Sequence, residues 1–253
     1  MITVAIPAFT DNYIWALHDG RNCVLVDPGD ARPALEFLHE QHLVLTGILL
    51  THHHADHIGG VAGVLEHHRA PVWGPHDPRM PPGTNAVGDG DRITIAQPAL
   101  QFEVIETPGH TLTHIVFHSP GQLYCGDTLF SAGCGRLFEG TPEQMHGSLQ
   151  RLAALPPQTR VYCAHEYTLA NCRFALAVEP DNPDLHQRIS EVRRLRASGL
   201  SSLPATIGGE QRYNPFLRCD VETVVEAASR HAGRSLESPV EVFAELRRWK
   251  DHF

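Results

Sequence analysis

A mixed α/β fold carrying a helical C-terminal extension is predicted for this 253-residue chain on three observations. Short β-rich runs alternate with short helical ones from the N-terminus to about residue 165. After the stretch "CAHEY" the texture turns helical, and no strand run of comparable strength follows. A hydrophobic content of 42% over this length suffices to bury a substantial core.

The elements follow in order. "ITVAI", "YIWAL" and "CVLVD" read as strands, the last closed by the turn signal "DPGD", and a helix is predicted over residues 31 to 42. "GILLT" is a buried strand and "IGGVAGVLEHH" a helix over residues 58 to 68. "PVWG", "RITIA", "LQFEVIE", "HIVFH", "QLYCG" and "RVYCA" are further strands, separated by turns such as "GDGD" and "SPGQ". Between the last two lies a helix over residues 142 to 154, with Thr141 as N-cap, Pro142 at its first position and Glu143 in its first turn. Residues 168 to 198 and 220 to 250 show helical spacing, as in Val192 with Leu195 and Val242 with Leu246 and Trp249. Two domains are expected, residues 1 to 165 and 166 to 253.

Composition excludes several classes. Twenty basic against 29 acidic residues give a net charge of −9, which argues against a nucleic-acid partner. No segment approaches the roughly 20 apolar residues that cross a bilayer, and the N-terminus has no basic start before an apolar run, so neither membrane nor export is expected. Six cysteines without a C-x-x-C pair suggest neither a disulfide framework nor a thiolate zinc site, and fit a cytoplasmic location. A monomer is expected. The basic clusters "RRLR" and "LRRWK" read on composition as solvated helix faces.

The stretch "THHHADHIGG" places four histidines and an aspartate in six positions, at the C-terminal end of a buried strand where α/β sheets tend to build their sites. If the chain stays extended there, His52 and His54 point one way and His53 the other. Asp56 and His57 follow as the chain curls into a helix. One loop cannot complete two sites, and three further donors stand just after strands: His110 in "TPGHT", Asp127 in "CGDTLF" and His165 in "CAHEY". Seven candidates, five histidines and two aspartates, exceed the four positions of a tetrahedral zinc and suit two ions sharing one carboxylate. They sort as His52, His54 and His110 on one metal, Asp56, His57 and His165 on the other, with Asp127 between. Imidazole and carboxylate without thiolate suit zinc, iron or manganese and do not choose among them; zinc is the metal expected.

This pattern resembles the metallo-β-lactamase superfamily, and "GCGRLFEGT", "AHEYT" and a helical tail ending in "RRWKDHF" narrow the resemblance to the glyoxalase II, or hydroxyacylglutathione hydrolase, family. The resemblance covers nearly the whole chain. It implies a four-layer αββα sandwich with a C-terminal helical domain, and hydrolysis of S-D-lactoylglutathione to glutathione and D-lactate by a dimetal-activated hydroxide. Asp56 and Asp127 would orient that hydroxide and the ions, and the thiolate would leave without a dedicated acid. By match to the family's motifs, Arg136, Tyr167, Arg247 and Lys250 are implied to contact glutathione. Arg136 stands where other members have Lys, and Phe138 where some have Tyr. A persulfide dioxygenase or lactonase on the same scaffold is the rival reading, and a metal-binding protein without catalysis is a further one.

Other residues carry blander expectations. Asp27 ends a strand beside the site and is expected either to accept from a ligand imidazole or simply to make an Asp-Pro-Gly turn. His53 and His114 read as structural or supporting, and Cys134 as a small buried residue. Gly59 and Gly60 are expected to let the helix start approach the metals.

Overall fold

A computed structural model describes residues 1–253, which divide into two compact units, residues 1–106 with 113–126 and residues 107–112 with 127–253. Chain order does not follow this division: the segment 107–112 leaves the first unit to join the second.

The first unit begins with three antiparallel strands, β1 (Ile2–Ala8), β2 (Asn12–His18) and β3 (Asn22–Val26). Every residue of β2 is buried, the polar Asn12 and His18 at its ends included. Helix α1 (Ala31–Glu40) follows, its first turn capped by the Asp30 carboxylate, which accepts from the Arg32 amide. Strand β4 (Val44–Leu49) then returns parallel to β3.

The helix expected over residues 58 to 68 is α3 (Val61–His67), preceded by a single turn, α2 (Ala55–Ile58). Gly59 and Gly60 lie between them, and the Gly60 amide donates to the Pro28 carbonyl at 3.1 Å rather than continuing one helix. A Cβ on Gly60 would sit 2.4 Å from the Ala31 nitrogen. The two glycines therefore admit the 27–31 turn to this helix start.

Strands β5 (Val72–Pro75) and β6 (Asn85–Val87) complete a six-stranded sheet in the order β1-β2-β3-β4-β5-β6. Helices α1 and α3 cover one face with Ala34, Leu38, Val61 and Val64, which pack with Ile14, Leu25 and Ile48 into the core. The unit ends in an antiparallel meander, β7 (Arg92–Ile95), β8 (Leu100–Glu106), β9 (Ile115–Ser119) and β10 (Gln122–Gly126). In β7 the alternation is strict: Ile93 and Ile95 are buried and Arg92 and Thr94 exposed. A Cβ on Gly47 of β4 would come within 3.2 Å of Ile95 Cδ1, so this meander faces the six-stranded sheet.

The second unit carries a two-strand hairpin, β11 (Leu129–Phe130) and β12 (Gly133–Cys134), then α4 (Pro142–Ala153) and β13 (Arg160–Cys163). The cap of α4 is a full capping box between Thr141 and Gln144, with Pro142 just inside. Five α-helices follow, α5 (Thr168–Val178), α6 (Pro183–Ala197), α7 (Ile207–Tyr213), α8 (Glu222–Ala232) and α9 (Pro239–Asp251), with a 3-10 turn at Pro215–Leu217. The helical spans 168 to 198 and 220 to 250 are thus each two helices. Asn182 and Ser238, followed by Pro183 and Pro239, start the second of each pair. Two residues, Ala205 and Thr206, pair with β13 as β14. No helix is long and apolar enough to cross a membrane.

Candidate functional site

In the first unit the donors gather where β4 ends. The chain stays extended through His52 to His54, and the period-two expectation holds: His52 Nε2 lies 3.0 Å from His54 Nδ1, while His53 turns aside to within 3.5 Å of Asp77. Three nitrogens of Arg79 donate to the Asp77 carboxylate, and their hydrogen bonds hold its pKa well below the usual range. His54 is the N-cap of α2, so one further turn brings up Asp56 and His57. The His57 ring centroid is 4.0 Å from that of His52, and His57 Nε2 is 3.5 Å from Asp56 Oδ2. Asn12 Nδ2 donates to the same Asp56 oxygen at 2.9 Å.

Asp27 organises this cluster. It accepts from the Thr51 amide at 2.8 Å, from the Thr51 hydroxyl at 2.7 Å and from His57 Nδ1 at 2.9 Å. A carboxylate only accepts, so Nδ1 of His57 carries the proton and Nε2 presents its lone pair. With its proton given to Asp27, the Thr51 oxygen accepts from His52 Nδ1 at 3.0 Å, which likewise turns a lone pair onto His52 Nε2. Asp27 does this from the left-handed region, at φ 51°, which Asp tolerates better than most residues. Both readings open in the sequence are present: the Asp27 side chain accepts from an imidazole, and its carbonyl accepts from the Gly29 amide at 2.8 Å in the Asp-Pro-Gly turn. His114 is fully buried and stacks on His52, with centroids 4.7 Å apart, in the supporting position expected of it.

In the second unit the three remaining donors meet. Asp127 directs one oxygen to each neighbour: Oδ2 is 3.4 Å from His110 Nε2, and Oδ1 is 3.3 Å from His165 Nε2. His110 Nδ1 donates to the Arg136 carbonyl at 2.9 Å, fixing its tautomer too. The approach is close enough that a Cβ on Gly135 would strike the Asp127 carbonyl oxygen at 2.0 Å.

These spacings fit metal binding. Two ligands of a tetrahedral ion held at roughly 2.0–2.1 Å stand about 3.3 Å apart, and the donor pairs within the units measure 3.0 to 3.5 Å. Neutral imidazoles oriented by carboxylate or carbonyl acceptors, with lone pairs turned to neighbouring donors, are the usual outer support of such a site.

A cavity of about 370 Å³ opens beside Asp127 and His110, entirely within the second unit. Phe130, Phe138 and Tyr167 give it aromatic walls, and Arg136, Arg247, Lys250 and Asn171 give it polar ones. All four residues matched to glutathione contacts line it, though in different states. Arg136 is largely exposed, 3.6 Å from Asp251. Tyr167 stacks on His165. Lys250 donates to Asn171 Oδ1 at 2.6 Å, and burial, with Arg247 nearby, lowers its pKa to about 8. Arg247 is 4% exposed, and its guanidinium is spent on the Cys134 carbonyl at 2.9 Å and on Asp251 at 2.9 Å. Neither basic cluster residue is a plainly solvated helix face.

Sequence reading missed Phe130, whose ring lies edge-on to His165 at 5.8 Å, and Asn171. Asn171 stands one helical turn past Tyr167, a spacing that could have found it. Phe138, set aside for its missing hydroxyl, lies edge-on to His110 at 5.2 Å. Cys134 is a buried wall residue whose thiol burial pushes up in pKa, as expected of a small packing residue.

Comparison with known proteins accords with this geometry. Residues 9–165 match the model of the metallo-beta-lactamase superfamily, and residues 166–253 match that of the hydroxyacylglutathione hydrolase C-terminus. The hydroxyacylglutathione hydrolase of Aeromonas salmonicida (strain A449) is 54% identical over 99% of this chain and 98% of its own length. That of Pseudomonas fluorescens (strain SBW25) is 53% identical over 98% of each. Among solved structures, ETHE1 from Myxococcus xanthus is similar with a TM-score of 0.68 at 26% identity, covering 98% of this chain and 91% of that one. TTHA1623 in a di-iron-bound form is similar with a TM-score of 0.62 at 27% identity, covering 86% of this chain and all of that one. The α/β sandwich of that superfamily and a helical C-terminal region are therefore the fold, and the chain belongs to the hydroxyacylglutathione hydrolase family of the metallo-β-lactamase superfamily.

Proposed function

We propose that this chain hydrolyses S-(2-hydroxyacyl)glutathione thioesters, chiefly S-D-lactoylglutathione, to glutathione and D-lactate. One observation carries the reading: a single cavity is lined both by Asp127 and His110 and by the cationic side chains of Arg136 and Lys250. A thioester of an anionic tripeptide needs both, a reacting centre and a place for its carboxylates.

In this reading His52, His54 and His110 hold one divalent cation, Asp56, His57 and His165 hold a second, and Asp127 serves both. The split of the two Asp127 oxygens between His110 and His165 supports the shared role. Zinc is the proposed metal, with iron or manganese as the alternatives that this donor set also suits. Bound ions would lower the pKa of water toward 7 and polarise the thioester carbonyl.

The protein's own residues do the rest. Asp27 and Thr51 keep His57 and His52 in the tautomers that leave Nε2 open. Asp56, held by Asn12, orients the attacking water from its carboxylate. The departing glutathione thiol has a pKa of roughly 8.5, so it leaves as thiolate and no acid is nominated. Arg136 and Lys250 pair with the glutathione carboxylates, and the Tyr167 hydroxyl donates to the peptide. Arg247 lines the same pocket and contributes by fixing the Cys134 and Gly135 carbonyls beneath it. Phe130 and Phe138 meet the His165 and His110 rings edge-on and give the pocket its aromatic walls.

The metal-holding part is assigned to residues 1–165 and glutathione binding to 166–253, with Arg136 the exception. A monomer in the cytosol is the proposed setting, for which six buried cysteines forming no disulfide are suited. The deciding measurement is thiol release from S-D-lactoylglutathione by the purified protein, with metal content determined on the same sample. Turnover with close to two ions per chain is expected. Metal-loaded protein inert on every glutathione thioester would overturn the assignment.

A further inference from the structure

Glu210 in α7 is fully buried, and nothing in the chemistry above uses it. Burial pushes its pKa up, and a buried carboxyl is costly unless its oxygens are satisfied. Oε2 accepts from the Ala132 amide at 2.8 Å and from Asn214 Nδ2 at 2.9 Å, and Oε1 accepts from the Tyr213 hydroxyl at 2.8 Å. Ala132 occupies the turn of the β11–β12 hairpin at φ 56°, a left-handed conformation unusual for a residue with a Cβ.

Other polar groups of the hairpin are held by side chains as well. Asn214 Nδ2 also reaches the carbonyls of Phe130 at 3.1 Å and Gly133 at 2.9 Å. Asn171 donates to the Ser131 carbonyl at 3.0 Å, and Arg188 to the Ser131 hydroxyl at 3.2 Å. The Ala132 methyl packs among Cys172, Leu185, Ile189 and Tyr213. A two-residue turn is thus bound by side chains reaching it from α5, α6 and α7. Phe130 and Cys134, on its two arms, line the cavity.

We propose that Glu210, together with Asn214, is a positioning residue for substrate binding: it holds the 131–132 turn in its left-handed geometry and so sets the Phe130 and Cys134 wall of the cavity. This rests on the cavity being the glutathione thioester site. Asp127 has anchors of its own, since Thr128 beside it accepts from the Gly135 amide at 3.2 Å and meets the Thr107 hydroxyl at 3.0 Å. Loss of Glu210 therefore acts on binding rather than on metal or chemistry.

The test is steady-state hydrolysis of S-D-lactoylglutathione by the metal-loaded wild type, Glu210→Ala and Glu210→Gln. Glutamine keeps an oxygen for Ala132 and Asn214 and offers its amide to the Tyr213 oxygen, so it should restore what alanine removes. For Glu210→Ala, KM is expected to rise roughly tenfold with kcat within about twofold and metal content unchanged, and for Glu210→Gln to stay near wild type. Should Glu210→Ala not accumulate as folded protein, Asn214→Ser removes the donors to Phe130 and Gly133 and is expected to raise KM in the same direction. An unchanged KM in a folded Glu210→Ala enzyme, or a kcat that falls in step with lost metal at constant KM, would overturn the inference. A wild-type enzyme with no thioesterase activity would overturn the reading of the cavity and this inference with it.

Discussion

The phenol ring of Tyr167 lies flat on the imidazole of His165, with centroids 4.6 Å apart and planes within 5° of parallel. Phe130 meets both rings edge-on, at 5.3 Å from Tyr167 and 5.8 Å from His165. One side chain thus joins the proposed substrate pocket to a proposed metal donor, and its two functions can be separated.

Tyr167→Phe keeps the stack and removes the hydroxyl. It is expected to raise KM for S-D-lactoylglutathione by roughly five- to tenfold, the scale of one lost hydrogen bond, without changing metal content. Tyr167→Ala removes the stack as well and is expected to lower metal retention under chelator challenge. Equal metal retention in the two variants would show that the stack does not orient His165.

Asp127 faces His110 with one oxygen and His165 with the other. Asp127→Ala is expected to lose both ions and to drop kcat/KM by more than the roughly 10–100-fold that loss of an outer partner costs. Elemental analysis beside the thioester assay checks this, and full metal content in the variant would refute the shared role.

Asp27 separates charge from conformation. Asn tolerates the left-handed region as Asp does, so Asp27→Asn leaves the turn intact while weakening the acceptor for His57 Nδ1. Metal affinity is expected to fall by about 10–100-fold, read by competition with a chelator, with the thermal unfolding midpoint of the metal-free protein little altered. An unaltered affinity would mean that His57 needs no carboxylate behind it.

Lys250 makes a prediction about pH. Burial, with Arg247 adding repulsion, lowers its pKa from 10.5 to about 8. The ammonium is the form that pairs with a carboxylate, so KM is expected to be flat below about pH 8 and to rise above it. The stability term has the opposite sign: between about 8 and 10.5 the unfolded chain holds this proton and the folded one does not, so the penalty of burying the charge is relieved as pH rises. Lys250→Met is expected to raise KM roughly tenfold near neutral pH and to abolish its rise above pH 8. A KM profile identical to wild type would send the glutathione carboxylates elsewhere.

The sequence by itself carried the element types, the strand ends on which the donors stand, and the turning aside of His53. Each is a local property: period two in an extended chain, donor chemistry in a side chain, a cap at a helix start. Local signals failed where a contact between segments overrode them. The helix expected from residue 58 starts only at Val61, since the Gly60 amide before it donates to the Pro28 carbonyl. Arg247 reads on composition as a solvated helix face, yet its guanidinium is held by the Cys134 carbonyl 113 residues away.

Only the tertiary structure decided how the segments group. Residues 107–112 cluster with 127–253 and not with their sequence neighbours, so His110 joins Asp127 and His165 in one unit while His52, His54, Asp56 and His57 gather in the other. The division of the two Asp127 oxygens, the acceptor behind His57 and the carboxylate beneath Ala132 are likewise set by pairings far apart in sequence, 30 positions for His57 with Asp27 and 78 for Ala132 with Glu210. Propensity and spacing act over a few residues, whereas such pairings depend on which surfaces burial brings together, and that is settled by the packing of the whole unit.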